Sequence, residues 1–596
     1  MADDGTPGHV GVPNDAGGGG GGCDGGYGCG GTGGGGTLPD VPVSRLTVWQ
    51  PGIPGGIPTD YVVHSTVLRT NGDMTATIQN ALNSAGAAAS ENAGRIVLLG
   101  AGVYEINSTL RIPSDVVLRG AGVGNDGQFL SQLRSPGPGF TLVMMGNDNP
   151  TEVQSVNLAS DGTKGSRSVT LTSDAANAGF AAGQLVLLDE LTDNVLSKWV
   201  AGATGETRSW YSRYDRPISD VFEVESVSGN TVTFKSPIHI AMRVSQSAQL
   251  TRFLEPPTRK AGVEALRVTT GHNGSDLYGY DRANVMFAYA IDSWARHFEA
   301  DGSAGKSVGF RMAHRCVARE GYVHDTQYWR NGGWGYGFDF TDGSSNNLVE
   351  NSISIRFNKV TNFRGAGGGN VFAYNFTDDG AISWDPGWVE TGLQASHYPT
   401  PHYELFEGNY GANADGDSTF GNAIYITFFR NHLAGKRRLS QRPSGDYGGE
   451  APQLFDSGNL RCASASAGHV YYNYVANVLG TPGMSGFEYE APASNTGAPA
   501  VWRIGALNDW SAFDPEVRST MLRDGNWDYI TQLVHWHGIG DSGSSARTLP
   551  DSLYLGSKPA FFGSLPWPWV DPTGSVKVQT LPAKARYDMG TPNVIP

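Results

Sequence analysis

Between about Val285 and Val478 one short phrase keeps returning, and its recurrence restricts the chain to few folds. It reads Asn-Asn-Leu-Val-Glu-Asn-Ser-Ile-Ser-Ile up to Ile355, Gly-Asn-Val-Phe-Ala-Tyr-Asn-Phe around Asn375, and Tyr-Glu-Leu-Phe-Glu-Gly-Asn-Tyr around Asn409. It comes back as Tyr-Ile-Thr-Phe-Phe-Arg-Asn-His-Leu around Asn431 and, more loosely, as Val-Tyr-Tyr-Asn-Tyr-Val-Ala-Asn-Val-Leu with Asn477. Each copy is a short apolar, β-branched or aromatic run with an Asn at its end. The steps from 351 to 375 and from 409 to 431 are 24 and 22 residues. A recurrence of this length means one supersecondary unit stacked on the next. The units are strand-rich, broken by Gly, Asn and Asp, and lack a helical period, so each reads as one coil of a parallel β-helix. Asn at matching turn positions fits, because it tolerates left-handed backbone and stacks into hydrogen-bonded ladders. No regular Leu grid supports a leucine-rich repeat. A propeller, the main rival, needs blades of about 40 residues with four strands each.

The 596 residues are enough for a large core and more than one module. Gly reaches 83 residues and charged residues only 17%, which suits a turn-rich extracellular β protein. A formal net charge of −15 argues against a nucleic-acid partner, since phosphate binding needs a basic face. It also sits awkwardly with a polyanionic substrate, although a local basic groove overrides a global sign. Of the four cysteines, Cys23 and Cys29 stand six apart and could pair, Cys316 reads as a small buried hydrophobe, and Cys462 is unassigned. No run of about 18 apolar residues spans a membrane. The start reads as that of a mature chain whose leader has been removed.

In order, residues 1–37 form a Gly-rich linker that cannot bury a core and would tether the rest to a cell envelope or simply be disordered. Residues 38–150 hold an N-terminal cap and the first coils. Within them Asp73 is a good N-cap for a short helix carrying Ile78 and Leu82 on one face. The helix is followed by Gly94-Arg-Ile-Val-Leu-Leu-Gly-Ala-Gly-Val-Tyr-Glu-Ile, Leu110-Arg-Ile-Pro and Val116-Val-Leu-Arg-Gly-Ala-Gly. This passage resembles the opening of the pectin-lyase-like superfamily, the right-handed parallel β-helix carbohydrate-active proteins, in which a helix plugs the first coil. The resemblance covers about 60–490 and implies the fold and an action on glycans. Residues 151–255 alternate in strand fashion, with a hairpin turn at Ser228–Asn230, and read as a small β insertion domain. Coils resume over 256–490. Residues 491–596 form a C-terminal cap segment, with a helix opening at Asp514-Pro515, closing at Gly525, and an apolar, Pro-rich run from Ser552 to Trp569.

A β-helix buries its interior, so chemistry belongs to its outer wall and its loops. Between Asn331 and Arg442, Trp334, Tyr336, Trp384, Trp388 and Tyr398 gather beside Asp339, Asp378, Asp379, Asp415 and Asp417. Flat rings and carboxylates make a carbohydrate groove, although the same rings would also serve to pack the loops. Glycosidic cleavage uses two carboxyl groups, about 6.5–9.5 Å apart for inversion. Asp378 and Asp379 point to opposite faces of a strand, so Asp379 is paired with Asp415 or Asp417, with His402 and Arg364 assisting. Asp-Asp-Gly and Asp-Gly-Asp are also ordinary turn formers. His397, Glu407 and Arg430, with Arg356, complete the expected substrate-binding set. The string from Ala395 to Asn431 also resembles a signature of β-helix proteins without a characterised reaction.

The expectation is therefore an all-β, right-handed parallel β-helix with capping helix, insertion domain and C-terminal cap, secreted or surface-bound, that hydrolyses a polysaccharide. The alternatives are a polysaccharide lyase acting on uronates and a non-catalytic glycan-binding adhesin. A lyase would draw on Arg356, Lys359, Arg364 or Lys436-Arg437-Arg438, and would use Ca²⁺ held by Asp415 and Asp417; a hydrolase needs no cofactor or metal. The superfamily's lyase phrase Arg-x-Pro-x-x-Arg is not found, and of its hydrolase set (Asn-Thr-Asp, Asp-Asp, Gly-His-Gly, Arg-Ile-Lys) the coils hold only the isolated Asp378-Asp379, so the resemblance speaks to fold and not to reaction.

Overall fold

A computed structural model describes residues 35–38, 41–193, 195–198, 213, 215–272, 281–327, 334–380, 392–417, 420–437, 460–507 and 511–595. The architecture is a right-handed parallel β-helix. Its parallel strands form one 20-stranded sheet that folds round two faces of a cylinder, and an 11-stranded sheet that makes the third. We call these face 1, which carries Leu348–Glu350, Val371–Ala373 and Leu405–Glu407; face 2, with Ile353–Ile355 and Phe376–Asp378; and face 3, with Tyr336–Thr341, Lys359–Arg364 and Leu393–Tyr398.

The bend between faces 1 and 2 shows why the repeat ends as it does. One residue per coil, Ala265, His297, Glu320, Asn351, Tyr374, Arg430 and Ala476 among them, holds φ between 48° and 59°. The residue after it turns its side chain inward. There Asn375, Asn409, Asn431, Asn477 and Asn526 form a ladder. Asn409 N–H donates to Asn431 Oδ1 at 2.9 Å, and Asn431 N–H donates to Asn477 Oδ1 at 2.9 Å. The amide groups bond onward at 3.0 and 3.1 Å, while Asn431 Nδ2 also donates to Phe406 O at 2.9 Å. The ladder asparagines are therefore not the left-handed residues; their predecessors are. Asn351 is out of step with the rest: it is itself left-handed, and Ser352 donates its N–H to Asn375.

The interior is apolar, with Phe287, Phe310, Phe340 and Phe363 stacked at centroid spacings of 4.8, 4.4 and 4.3 Å. Each buried aromatic contributes on the order of 1.5–3 kcal/mol. The first coil is plugged by the helix Thr75–Ala88, whose Ile78 and Leu82 are fully buried, and Asp73 accepts from Thr75 N–H at 2.9 Å. Without it, core side chains and strand edges would face water.

Residues Glu152–Phe253 form a separate six-stranded sheet, its inter-strand pairs antiparallel, with the expected hairpin pairing Ser228 to Thr231. At the other end the coils run further than the repeat suggested, through Ala500–Ile504 and Leu522–Asp528. Asp514 caps a single short helix, Pro515–Thr520, but Gly525 does not close it. That glycine is the left-handed corner of the last coil, with φ 65°. The Pro-rich run lies along face 1, where Leu553, Tyr554, Phe562 and Trp569 are buried against Tyr374, Leu405 and Phe429. No helix among the described residues is long and apolar enough to cross a membrane.

Candidate functional site

Face 1 is covered and face 3 is bounded along one edge. Face 1 lies beneath the C-terminal run and residues 41–57, with Trp49 Nε1 donating to Tyr403 O at 2.8 Å. The corner after face 3 is occupied by the insertion domain: Gly368 N–H bonds Asp220, and Val221 N–H bonds Gly343 O at 3.0 Å. The outer wall of face 3 carries a row of polar and charged side chains, of which Asp339, Asn362, Gln394 and Asp417 are fully buried. Side chains on it come from register, not from neighbouring sequence. The pairing sets Asp339 beside Asn362, Asn362 beside Gln394, and Gln394 beside Asp415.

Along this wall two charged groups stand out. In the first, Arg364 grips Asp339 with both nitrogens, Nε at 2.9 Å and Nη2 at 2.6 Å, and Lys306 Nζ adds a contact at 3.0 Å. Burial works against the Asp339 charge, but these two cations outweigh it and hold the carboxyl below its ordinary range. The Arg364 guanidinium also lies over the rings of Tyr336 and Tyr398, at 5.3 and 5.5 Å. In the second, Asp417 Oδ2 accepts from His397 Nδ1 at 2.8 Å and from Gln394 Nε2 at 2.5 Å, with Lys359 Nζ at 3.4 Å.

Among the described residues His397 Nε2 has no hydrogen-bond partner. Burial lowers the pKa of this imidazole below its ordinary value, against the pull of Asp417, so it is neutral at pH 7. Tyr336 lies edge-on to it, with ring centroids 6.5 Å apart, and burial raises the phenol's pKa so that it keeps its proton. Beside them both amide atoms of Asn362 and the Oε1 of Gln394 are buried and without a partner. Buried polar groups are normally satisfied, and these three atoms on one wall are exceptions.

Of the residues expected from sequence, Arg364, Tyr336, His397 and Asp417 meet here. Others do not. His402 is fully buried under the insertion domain, its Nδ1 on Thr400 O at 2.8 Å and its Nε2 on Asp220 at 3.2 Å. Asp415 is matched by Arg461, whose Nε donates at 2.6 Å, and by Arg503 at 3.8 Å, so no cation site forms from it and Asp417. Asp379 is the left-handed corner between faces 2 and 3, with φ 55° and 5% exposure. Arg356 holds the matching corner one coil earlier, on the adjacent strand, bound to Asp325 and to Tyr322 OH at 3.2 Å. Arg430 is spent on carbonyls of the C-terminal run, Pro550 O and Val570 O, both at 2.8 Å. Trp334 is half-buried just before its face 3 strand, and Trp384 and Trp388 lie outside the described residues. Lys359, Asn362 and Gln394 complete the group; sequence reasoning reached the first only as a basic residue, because strand register alone aligns the other two.

Glu407 also belongs elsewhere, under the C-terminal run, where its carboxyl accepts from Tyr374 OH and Leu553 N–H, each at 2.8 Å. Burial raises its pKa to about 7. A carboxyl held above its unfolded value favours folding while protonated, so stability falls as pH rises from the ordinary carboxylate range to about 7 and then levels. Glu407→Gln removes that decline. Thermal melts should show it gaining on the parent by up to about 3 kcal/mol at pH 8 and little at pH 4; a constant difference across that range would refute the assignment.

A further cluster, Glu299, Asp301 and His324, brings three ligand atoms within 4.8 Å of one another on the far side of the cylinder. Arg267 pairs both carboxylates, while Asn593 and His324 bond Glu299, so these groups are already engaged.

No protein-family profile matches the chain, and no curated protein sequence matches it. Among solved structures, the tailspike gp61 of Pseudomonas phage phi297 aligns with a TM-score of 0.41 at 13% identity, covering 68% of this chain and 63% of that one. The tailspike of E. coli bacteriophage HK620, solved as a mutant with a pentasaccharide, aligns at 0.40 and 9% identity, covering 82% and 62%. The A-module of the Azotobacter vinelandii mannuronan C-5 epimerase AlgE4 aligns at 0.31 and 13%, covering 68% and 71%. This chain thus spans under two thirds of the length of both tailspikes. The chain's own strand pairing gives a β-helix opening on a helical plug, the architecture that the resemblance in sequence implied.

Proposed function

We propose that the chain cleaves an acidic polysaccharide outside the cell by β-elimination, with the glycan lying along face 3. The observation that carries this is the Asp417–His397 pair, whose Nε2 has no partner among the described residues and which lies near Lys359 and Arg364. Asp417 takes the Nδ1–H and so leaves Nε2 as the lone-pair nitrogen. That nitrogen removes the proton next to a uronate carboxylate, and the electron pair forms a C4–C5 double bond. The bond from C4 to the glycosidic oxygen breaks, and the leaving oxygen receives the proton of Tyr336. A base kept neutral and an acid kept protonated are the two states the step requires. Lys359 and Arg364, each already paired with a buried carboxylate, add positive charge beside the uronate carboxylate, with the Asn362 amide next to them.

The hydrolase reading needs one carboxyl with a raised pKa and a second to activate water. Asp417 and Asp339 instead have their charges held by cations, and Asp415 by two guanidinium groups. The test is a panel of polygalacturonate, alginate and neutral glucans assayed for both ultraviolet-absorbing unsaturated ends and reducing ends. Both signals in equal amount on a uronate are expected. Reducing ends alone would restore the hydrolase, and binding without either product would make the chain a glycan-binding protein.

A further inference from the structure

We infer that the insertion domain builds a distal sugar subsite on face 3, so that the protein selects glycans by length. This rests on the reading of face 3 as the glycan trough. Two clefts, of about 160 and 120 Å³, lie on the first coils of that face. They share Asp148 and Arg311 and so form one depression. The coils supply Thr141, Asp281, Arg282 and Lys306, with Met286 beneath. The insertion domain supplies Leu187, Arg213 and Phe253 as the opposite wall.

That wall is rigid. Arg213 Nη1 is fixed on Asp189 at 3.0 Å, Phe253 meets the Tyr289 ring edge-on at 5.3 Å, and Tyr289 OH donates to Leu185 O at 3.1 Å. An apolar thioether floor under a rim of carboxylate, hydroxyl and guanidinium groups suits a pyranose ring that carries hydroxyls and an acid group. The depression borders the first charged group of face 3, because Lys306 Nζ contacts both Asp281 at 3.3 Å and Asp339 at 3.0 Å.

Register sets the distance. From Lys306–Arg311 the pairing steps to Tyr336–Thr341, then Lys359–Arg364, then Leu393–Tyr398. Those steps amount to roughly 14 Å at about 4.8 Å each, and one step is close to the repeat of one sugar unit in an extended glycan. A substrate must therefore run about three units beyond the reacting bond before it reaches the insertion domain.

The experiment uses the full chain and a disaccharide-to-octasaccharide ladder of oligogalacturonate and oligomannuronate, with wild type and the double variant Asp148→Ala/Arg282→Ala, both at partly exposed positions. Wild-type kcat/KM should climb with length and level off once the depression is filled. The variant should raise KM about ten-fold for the long members, leaving kcat and the short members unchanged. An equal loss at every length, or none, overturns the inference. If no oligomer is cleaved, the lyase reading fails by itself, and calorimetric binding of the octasaccharides decides the subsite. Binding weakened about ten-fold in the variant upholds it; unchanged binding, or none to wild type, sinks it.

Discussion

His397→Ala is expected to lower kcat by about two to four orders of magnitude, the usual contribution of a positioned proton-transfer group, and to lower the melting temperature as well. The imidazole bonds Asp417 Oδ2 and, at 8% exposure, packs against the Tyr336, Tyr398 and Phe420 rings, so packing is lost with it. Asp417→Asn should cost a comparable factor for another reason. An amide at this position donates to Nδ1 as readily as it accepts, and that favours the tautomer with the proton on Nε2. The pH profile separates the two effects. Activity of the parent should rise with pH through a range below the ordinary imidazole value, because burial pushes this pKa down. Asp417 opposes that push, so in Asp417→Asn the rising limb should move to still lower pH. The rate of unsaturated-product formation reads both. Turnover within a factor of about three of wild type in a folded His397→Ala protein would remove the imidazole from the reaction.

The second large effect is one of stability. Asn431→Ala removes an oxygen that accepts from both Asn409 N–H and Asn409 Nδ2, and a donor to Phe406 O. All of these groups are sealed inside the cylinder, so the partners left behind gain no water. Each unsatisfied group costs about 1–3 kcal/mol, and the sum should reach roughly 3–5 kcal/mol. Coils touch only their neighbours, so the loss should stay local. Hydrogen exchange should speed up in the strands Leu405–Glu407 and Thr427–Phe429 and remain unchanged in the insertion domain. An unaltered melt together with unaltered exchange would show that the ladder contributes nothing beyond the backbone pairing.

The ladder was legible in the sequence because its cause is local. A strand of about three residues, a left-handed corner and an inward amide recur in a fixed order, and each can be recognised where it stands. Legibility failed by one residue at Asn351, since a left-handed Asn and a ladder Asn look alike until the neighbouring coil supplies Ser352 and Asn375 as partners. It failed again at Gly525, where a corner glycine and a helix-ending glycine carry the same signal.

The site was legible in composition only. Glu407 and Asp417 both follow coil strands and both sit among aromatics. Glu407 is sealed beneath a C-terminal run about 146 residues further on, while Asp417, equally buried, meets His397 and Lys359 on face 3. His402 and His397 lie in one Pro-rich string, yet the insertion domain buries the first and spares the second. By itself the sequence determined the coil, its corners and the kinds of side chain offered to the outside, because strand propensity and turn chemistry act over a few residues. Only the tertiary structure decided which acids and imidazoles work together. Strand register brings Lys359 to Asp417 across 58 residues, and the covering segments choose which face they seal; both come from long-range packing.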